Sequence, residues 1–313
     1  MAKYRHGLPQ LTGELFLTDG GIETCLIFHD GLDLPDFAAF DLFKDGAGRA
    51  ALDRYYRNYI SIAQNNSVGF ILESATWRAS PDWGSKLGYS SAALAEMNRT
   101  AVALLHDLRG EYETADTKVV VSGCVGPRGD GYDPDEIMTE DEAERYHAFQ
   151  VGAFKQAEAD MVTAITMTHV EEAVGITRAA QAADMPAVIS FTVETDGRLP
   201  TGQTLKDAIE QVDAATGGGP AYFMINCAHP THFNGALAKG ETWIERIRGI
   251  RANASTMSHA ELDEAEELDD GNPGELGGQY RALRDRMSHI NVLGGCCGTD
   301  HRHVEAICHA CAA

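Results

Sequence analysis

Short apolar runs alternate with longer amphipathic segments along the whole chain. The runs are rich in Val, Ile and Phe, and most are apolar throughout rather than at every second position. A parallel strand that is covered on both faces needs apolar side chains on both sides, so these runs predict buried parallel strands. The eight predicted strands are Leu15–Thr18, Val68–Glu73, Lys118–Ser122, Met161–Thr166, Ala187–Val193, Tyr222–Asn226, Gly249–Ala254 and Ile290–Gly294. The seventh of these has the least regular pattern.

The amphipathic segments between the runs predict helices. The main ones are Ala51–Asn65, Ala92–Tyr112, Glu140–Glu158, Glu171–Ala183, Leu205–Ala215 and Glu275–Ser288. Eight strands that alternate with helices in 313 residues favour a closed barrel over an open doubly wound sheet. The expected fold class is therefore α/β, a single (β/α)8 TIM barrel. Because no linker-like segment or internal repeat divides the sequence, residues 1–313 are expected to form one domain.

The chain is strongly acidic, with 47 acidic and 25 basic residues and a formal net charge of −22. Phosphate groups are bound by clustered Lys and Arg, so this charge excludes nucleic acid and disfavours anionic membrane surfaces. The acidic run Glu261–Asp270 is interpreted as a solvated loop and helix start. No window reaches the roughly 20 apolar residues that cross a bilayer, and the N-terminus lacks the apolar stretch of a secretory signal.

The 7 cysteines are an odd number, and Cys296 and Cys297 are adjacent. A secreted disulfide framework usually has paired, spaced cysteines, whereas reduced thiols are typical of the cytoplasm. The sequence therefore favours a cytoplasmic protein. Its oligomeric state stays open, a homo-oligomer included.

Polar residues follow most of the predicted strands. In a (β/α)8 barrel the C-terminal ends of the strands meet at one face, where the chemistry takes place. We therefore expect these side chains to converge. They are Asp19, Glu73, Cys124, the segment Thr166–His169, Glu194, Cys227 and the pair Cys296–Cys297.

Three of these residues have the chemistry of a metal site. Cys227 follows the sixth predicted strand, and Cys296 and Cys297 follow the eighth. Three thiolates form an all-sulfur Zn²⁺ site with a fourth tetrahedral position open to substrate, whereas structural zinc sites usually fill all four positions. The glycines around the Cys-Cys pair would let both side chains turn toward one ion. The pattern predicts a catalytic zinc ion.

The other cysteines are interpreted as small buried apolar side chains, which is the commonest role of a free cysteine. Three alternatives stay open at this point: a second metal site at the C-x2-C pair near the C-terminus, a redox disulfide in the Cys-Cys pair, and histidine ligands after the sixth strand. The residues concerned are Cys25, Cys124, Cys308, Cys311, His229 and His232.

Five short segments, in this order along the chain, resemble the homocysteine S-methyltransferase family. They are Thr18–Thr24, Ser122–Pro127, Ile189–Thr192, Ile225–Cys227 and Gly294–Thr299. The combination of Ile-Asn-Cys with a downstream Gly-Gly-Cys-Cys-Gly-Thr is the most specific part. The resemblance implies a (β/α)8 barrel, zinc on Cys227, Cys296 and Cys297, homocysteine as methyl acceptor, and Asp19 on the amino group of the acceptor.

The expected reaction moves a methyl group from a sulfonium or quaternary ammonium donor to homocysteine and gives methionine. Its partners are thus a small-molecule thiol and a methyl donor. A free thiol has a pKa near 8.5, and zinc coordination removes its proton, so no catalytic group is expected beyond the zinc site. Ring faces attract such cationic donors. The candidate aromatic residues are Trp77, Trp83, Tyr89 and Tyr132. Because no cobalamin or folate domain is evident in the sequence, we expect the donor to be used directly.

Two segments depart from the family. Where the family typically has a Glu-Thr pair after the fourth strand, this chain has Ile165 and Thr166. After the second strand, a Thr-Asn-Thr type segment is replaced by one that begins with Glu73. One hypothesis is that Glu73 replaces the missing carboxylate in substrate binding, beside Asp19 and Thr166. The alternatives are another thiol or selenol acceptor, a zinc-binding or redox barrel without transferase activity, and a phosphate-handling barrel.

Overall fold

The computed structural model describes residues 2–134, 137–237, 241–265 and 267–312. Eight parallel strands close into a barrel in chain order, and the last strand pairs with the first. This confirms the predicted (β/α)8 barrel. The strands are β1 Phe16–Leu17, β2 Gly69–Glu73, β3 Val119–Val125, β4 Met161–Met167, β5 Ala187–Phe191, β6 Pro220–Asn226, β7 Ile247–Ala252 and β8 Val292–Gly295.

Each predicted helix is present, with ends that differ by a few residues. The longer helices are α1 Gly46–Asn65, α3 Ser91–Tyr112, α4 Glu140–Gln156, α5 Val170–Ala182, α6 Leu205–Thr216, α9 Pro273–Arg286 and α10 His301–Cys311. Helix α1 begins five residues before its prediction because Asp45 caps it, accepting a hydrogen bond from the Gly48 N–H. Short helices that had not been predicted are α2 Pro81–Lys86, α7 Pro230–Phe233 and α8 His259–Asp263.

The seventh strand was predicted with both of its ends too late in the sequence. It was predicted as Gly249–Ala254, but it begins at Ile247 and ends at Ala252. Arg251 interrupts the apolar pattern that identified the other strands. Its side chain is buried and paired with carboxylates, so a charged residue is accommodated at a position where the other strands have apolar residues.

Two layers of apolar side chains hold the barrel together. The larger layer fills the space between the strands and the surrounding helices. A smaller cluster includes a buried side chain from most of the strands, such as Phe16, Ile71, Val120 and Met161. Bulky side chains from successive strands are what fill the interior of a barrel of this size. The packed interior leaves the strand ends as the place for a site. Among the described residues, no helix combines the length and apolarity that crossing a bilayer requires.

The connection from β1 to α1 crosses the C-terminal mouth of the barrel. It contains a π-helical turn, Thr24–His29, and it is tied to the segment after β8 by hydrogen bonds. Gly21 N–H donates to the carbonyl of Thr299, and Gly298 N–H donates to Thr24 Oγ1. The loops after the first and last strands therefore form one connected wall around the mouth.

Candidate metal centre

The sulfur atoms of Cys227, Cys296 and Cys297 meet at the mouth of the barrel. Cys227 Sγ lies 3.0 Å from Cys296 Sγ and 3.4 Å from Cys297 Sγ. All three sulfur atoms lie within 4.8 Å of one another. A disulfide bond measures about 2.05 Å, so these are three separate thiols. The structure thus brings together residues from strand ends that lie 69 residues apart in the sequence.

The three thiols fit a tetrahedral metal ion. Zinc–sulfur bonds of about 2.3 Å place the sulfurs of such a site about 3.8 Å apart. The separations here are slightly shorter, and small side-chain rotations would open them to that value. In the part of the chain that the structure describes, this is the one group of three or more His, Cys, Asp or Glu residues close enough to share an ion.

The alternative metal ligands lie elsewhere or have other partners. His229 Nδ1 lies 2.8 Å from Thr231 Oγ1, and His232 Nε2 donates to the carbonyl of Thr256. Cys308 and Cys311 are buried in α10 and pack in the large apolar cluster. None of these residues belongs to the metal-binding group formed within the described residues.

Negative charge is concentrated on one of the three sulfurs. Hydrogen bonds from Cys227 and Cys297 hold the pKa of Cys296 well below its ordinary value, and the guanidinium of Arg251 acts in the same direction. The same contact with Cys296 raises the pKa of Cys227. A thiolate is the form that binds a metal ion, so Cys296 is the thiol of the three that is most readily ionised for coordination.

Close packing explains the glycines that flank the cysteine pair. A Cβ atom on Gly294 would overlap Thr18 Oγ1, and one on Gly295 would overlap Thr299 Oγ1. Gly298 has a φ of +78°, a backbone angle that residues with a Cβ rarely adopt. From the sequence, these glycines were expected to let the two cysteine side chains turn toward one ion. The structure adds that β8 must also approach the loop after β1 closely.

Cys227 also depends on its backbone and on Asn226. Its φ of +55° lies in the left-handed region, which is uncommon for residues other than glycine. Asn226, one residue earlier, donates to Thr166 Oγ1 and accepts from the Thr166 N–H. Thr166 itself has a φ of +68°. The predicted site residue Thr166 therefore lies at the centre and supports the turn that presents Cys227.

Asp19 and Glu73 lie on either side of a buried arginine. Arg251 Nη2 donates to Asp19 Oδ1 at 2.5 Å, and Arg251 Nη1 lies 3.6 Å from Glu73 Oε2. The other oxygen of Asp19 accepts a hydrogen bond from Tyr55 at 2.8 Å. Burial raises the pKa of Asp19, although Arg251 opposes the shift, and burial raises the pKa of Glu73 to about 7.

Two further residues of the centre, Arg251 and His259, were not among the predicted site residues. Arg251 also donates to the carbonyl of Gly295, directly before Cys296. His259 donates to the carbonyl of Cys227 at 2.6 Å, and its other ring nitrogen lies 3.1 Å from Glu194. The position of Arg251 inside a predicted barrel strand could have indicated that it pairs with a buried carboxylate. His259 is the first residue of the short helix α8 after β7, and nothing in the sequence around it indicated a role.

Tyr132 is the predicted aromatic residue that reaches the sulfurs. Its hydroxyl lies 3.3 Å from Cys227 Sγ and 3.4 Å from Cys297 Sγ, and its ring stacks on His259 at 4.1 Å. Tyr89 instead donates to Asp41. Tyr132 therefore covers the cluster from the loop after β3.

Comparison with known proteins agrees with the fold described above. A family model described as homocysteine S-methyltransferase matches residues 16–311. Crystal structures of the homocysteine methyltransferase MmuM from Escherichia coli are similar in fold. The oxidized form has 20% sequence identity and a TM-score of 0.73, covering 94% of this chain and 95% of that one. The metallated form has 18% identity and a TM-score of 0.71, with the same coverage. No curated protein sequence matches the chain.

Proposed function

The chain belongs to the homocysteine S-methyltransferase family and is a methyltransferase that acts on homocysteine, and we propose that it does so at a zinc ion held by Cys227, Cys296 and Cys297. The methyl donor is a sulfonium or quaternary ammonium compound, and the product is methionine. The observation that carries the proposal is the meeting of the three sulfur atoms within 4.8 Å. A bound zinc ion would supply positive charge that keeps a substrate thiol ionised at neutral pH.

The acceptor's amino group is bound by Asp19 and Glu73. These two carboxylates face a single guanidinium, that of Arg251, so the group attracts a further cation when both are ionised. Glu73 Oε2 has no hydrogen-bond partner among the described residues, and it is buried. A buried acceptor without a partner is costly unless a ligand supplies one. Thr166 lines the same site beside Asn226.

Tyr132 controls access to the cluster. Its hydroxyl lies against Cys227 and Cys297, in the space through which a fourth sulfur has to approach. We expect the ring to move aside when homocysteine binds. Its stacking on His259 gives the ring a defined position in the absence of substrate.

The proposal also implies the partners, the domain organisation and the pathway of the enzyme. The partners are a small thiol and a small methyl donor, residues 1–313 act as one barrel domain, and the reaction belongs to methionine biosynthesis. A centre of three reduced thiols needs a reducing compartment, which supports a cytoplasmic location.

A metal assay combined with activity measurements tests the zinc centre. We expect about one zinc ion per chain in the wild-type protein. Cys296→Ser should weaken metal affinity at least tenfold and remove methyl transfer to homocysteine from a panel of sulfonium and betaine donors. The matched control is Cys308→Ser, which changes a buried cysteine outside the cluster. Full zinc content and activity in Cys296→Ser would refute the assignment.

Steady-state kinetics of Glu73→Gln test the amino-group site. We expect the KM for homocysteine to rise about tenfold or more, because a charge-assisted hydrogen bond contributes about 1.5–3 kcal/mol. A thiol acceptor without an amino group should show no such change. An unchanged KM for homocysteine would remove Glu73 from this role.

A further inference from the structure

Arg78 lies between two tryptophan rings at the barrel mouth. Its guanidinium carbon is 4.1 Å from the ring centre of Trp77 and 3.8 Å from that of Trp83. The side chain is 5% exposed. Both rings are themselves held in place, since Trp77 donates to the carbonyl of Ile165 and Trp83 to that of Arg128. One face of each ring is therefore occupied by this arginine rather than open to a cationic donor.

The charge of Arg78 is only partly compensated. Its Nε–H has no hydrogen-bond partner among the described residues. Nη1 donates to the carbonyl of Gly129, and Nη2 lies 3.9 Å from Asp130 Oδ2. Asp130 is half exposed, and its other oxygen accepts from the backbone of Tyr132 and Asp133. Burial lowers the pKa of Arg78, which is the expected cost of a buried charge without a close counterion.

Arg78 is close to the metal centre but separate from the Asp19–Arg251–Glu73 group. It holds the carbonyl of Gly129 in the loop whose Tyr132 hydroxyl reaches the sulfurs. Glu23, which is half buried, interacts electrostatically with both Arg78 and Cys296. The mouth therefore carries, besides the sulfurs, an arginine and a carboxylate within electrostatic range of each other.

A guanidinium and a carboxylate at the same barrel mouth complement a zwitterion. A planar guanidinium with an unsatisfied N–H is suited to a carboxylate, with which it forms paired hydrogen bonds. Glu23 would face the cationic part of the same ligand. Asp19 and Glu73 account for the amino group of the acceptor, and Arg78 is separate from that group, which favours the methyl donor as the ligand of Arg78.

We propose that Arg78 binds the carboxylate of the methyl donor, so that the enzyme selects donors that carry both a methylated cation and a carboxylate. This inference rests on the proposed function. In the reaction the bond between the methyl carbon and the cationic sulfur or nitrogen breaks, and a bond from that carbon to the homocysteine sulfur forms. The donor leaves with a neutral sulfur or nitrogen, and its carboxylate stays on Arg78 throughout.

Paired donors that differ in the carboxylate test the proposal. S-methylmethionine and its carboxamide share the sulfonium, as betaine and betaine amide share the quaternary ammonium. With the zinc-loaded protein, we expect Arg78→Gln to raise the KM for the acid donor about 10- to 100-fold and to leave that for the amide donor within about twofold. The KM for homocysteine should not change. Arg78→Lys should recover part of the loss.

Arg128→Gln is the matched control, because Arg128 lies in the neighbouring loop and pairs with Asp82 outside the centre. It should leave both donors unaffected. Equal losses with the acid and the amide in Arg78→Gln would show that Arg78 only supports the loop, and would overturn the proposal. A change in the KM for homocysteine without donor selectivity would assign Arg78 to the acceptor instead, which also overturns it.

A binding measurement separates this proposal from the proposed function. Trp77 and Trp83 stack on Arg78, so their fluorescence should report donor binding without turnover. If the wild-type protein methylates no homocysteine but binds the acid donor at least tenfold more tightly than the amide, the proposed function fails and the role of Arg78 stands. Equal affinity for acid and amide in the wild-type protein would refute the role of Arg78.

Discussion

Arg251 donates a hydrogen bond to Asp19 across 2.5 Å, although 232 residues separate them in the sequence. The pair joins the end of β7 to the loop after β1. Through its bond to the carbonyl of Gly295, Arg251 also reaches the residue before Cys296. One guanidinium therefore links three strand ends around the metal centre.

Removing this guanidinium should destabilise the protein. Arg251→Met leaves Asp19 and Glu73 buried without their counterion, and breaking a buried pair in this way costs about 3–5 kcal/mol. We expect a loss of that size in the free energy of unfolding, measured by denaturant titration of the zinc-loaded protein. Arg248→Met on the same strand is the control, and it should cost much less because Arg248 is half buried. Equal losses in the two variants would contradict this account.

The sequence was sufficient to predict the barrel and the meeting of the three cysteines at its mouth. Both rest on local patterns: uniformly apolar runs for the strands, and polar residues placed directly after them. The role of Arg251 depended on a partner 232 residues away. The environment of Trp77 and Trp83 could not be predicted either, because the cation between them is Arg78 from the same short loop. Such pairings depend on how the loops pack, and no periodic pattern encodes them.

The pH dependence of stability should report the burial of Glu73. Its pKa in the folded protein is about 7, above the ordinary value of 4.5. A raised pKa means that the stabilising contribution is complete below pH 4.5 and is lost as the pH rises toward 7. The difference between these two pKa values corresponds to at most about 3 kcal/mol.

Glu73→Gln removes this titration. Between pH 5 and pH 8 the unfolding free energy of the wild-type protein should therefore fall by up to about 3 kcal/mol relative to that of the variant. Burial also raises the pKa of Glu23 to about 7, but that group is present in both proteins, so their difference isolates Glu73. Parallel stability curves over this range would show that Glu73 titrates normally.

Tyr132 should protect the sulfurs from reagents in solution. In the reduced, zinc-free protein, we expect Tyr132→Ala to speed alkylation of the three cysteines by iodoacetamide at least fivefold, measured by peptide mass spectrometry. Tyr132→Phe keeps the ring on His259 and should speed it less. Tyr89→Phe is the control, because its hydroxyl bonds to Asp41 away from the cluster. If alkylation in Tyr132→Ala is as slow as in the wild-type protein, Tyr132 does not cover the centre.

The close packing of Thr299 against β8 makes Gly295 sensitive to the smallest added side chain. An added Cβ would overlap Thr299 Oγ1, whose hydroxyl already donates to the carbonyl of Cys296. Overpacking of this kind costs about 1–3 kcal/mol, so Gly295→Ala should lower the free energy of unfolding by that amount. It should also weaken zinc binding, because relief of the overlap shifts the backbone that carries Cys296. Gly278→Ala, at an exposed position within α9 where a Cβ meets open space, should instead stabilise the protein by about 0.5–1 kcal/mol. Comparable effects of the two substitutions on zinc affinity would mean that the packing of Gly295 does not position the cysteine pair.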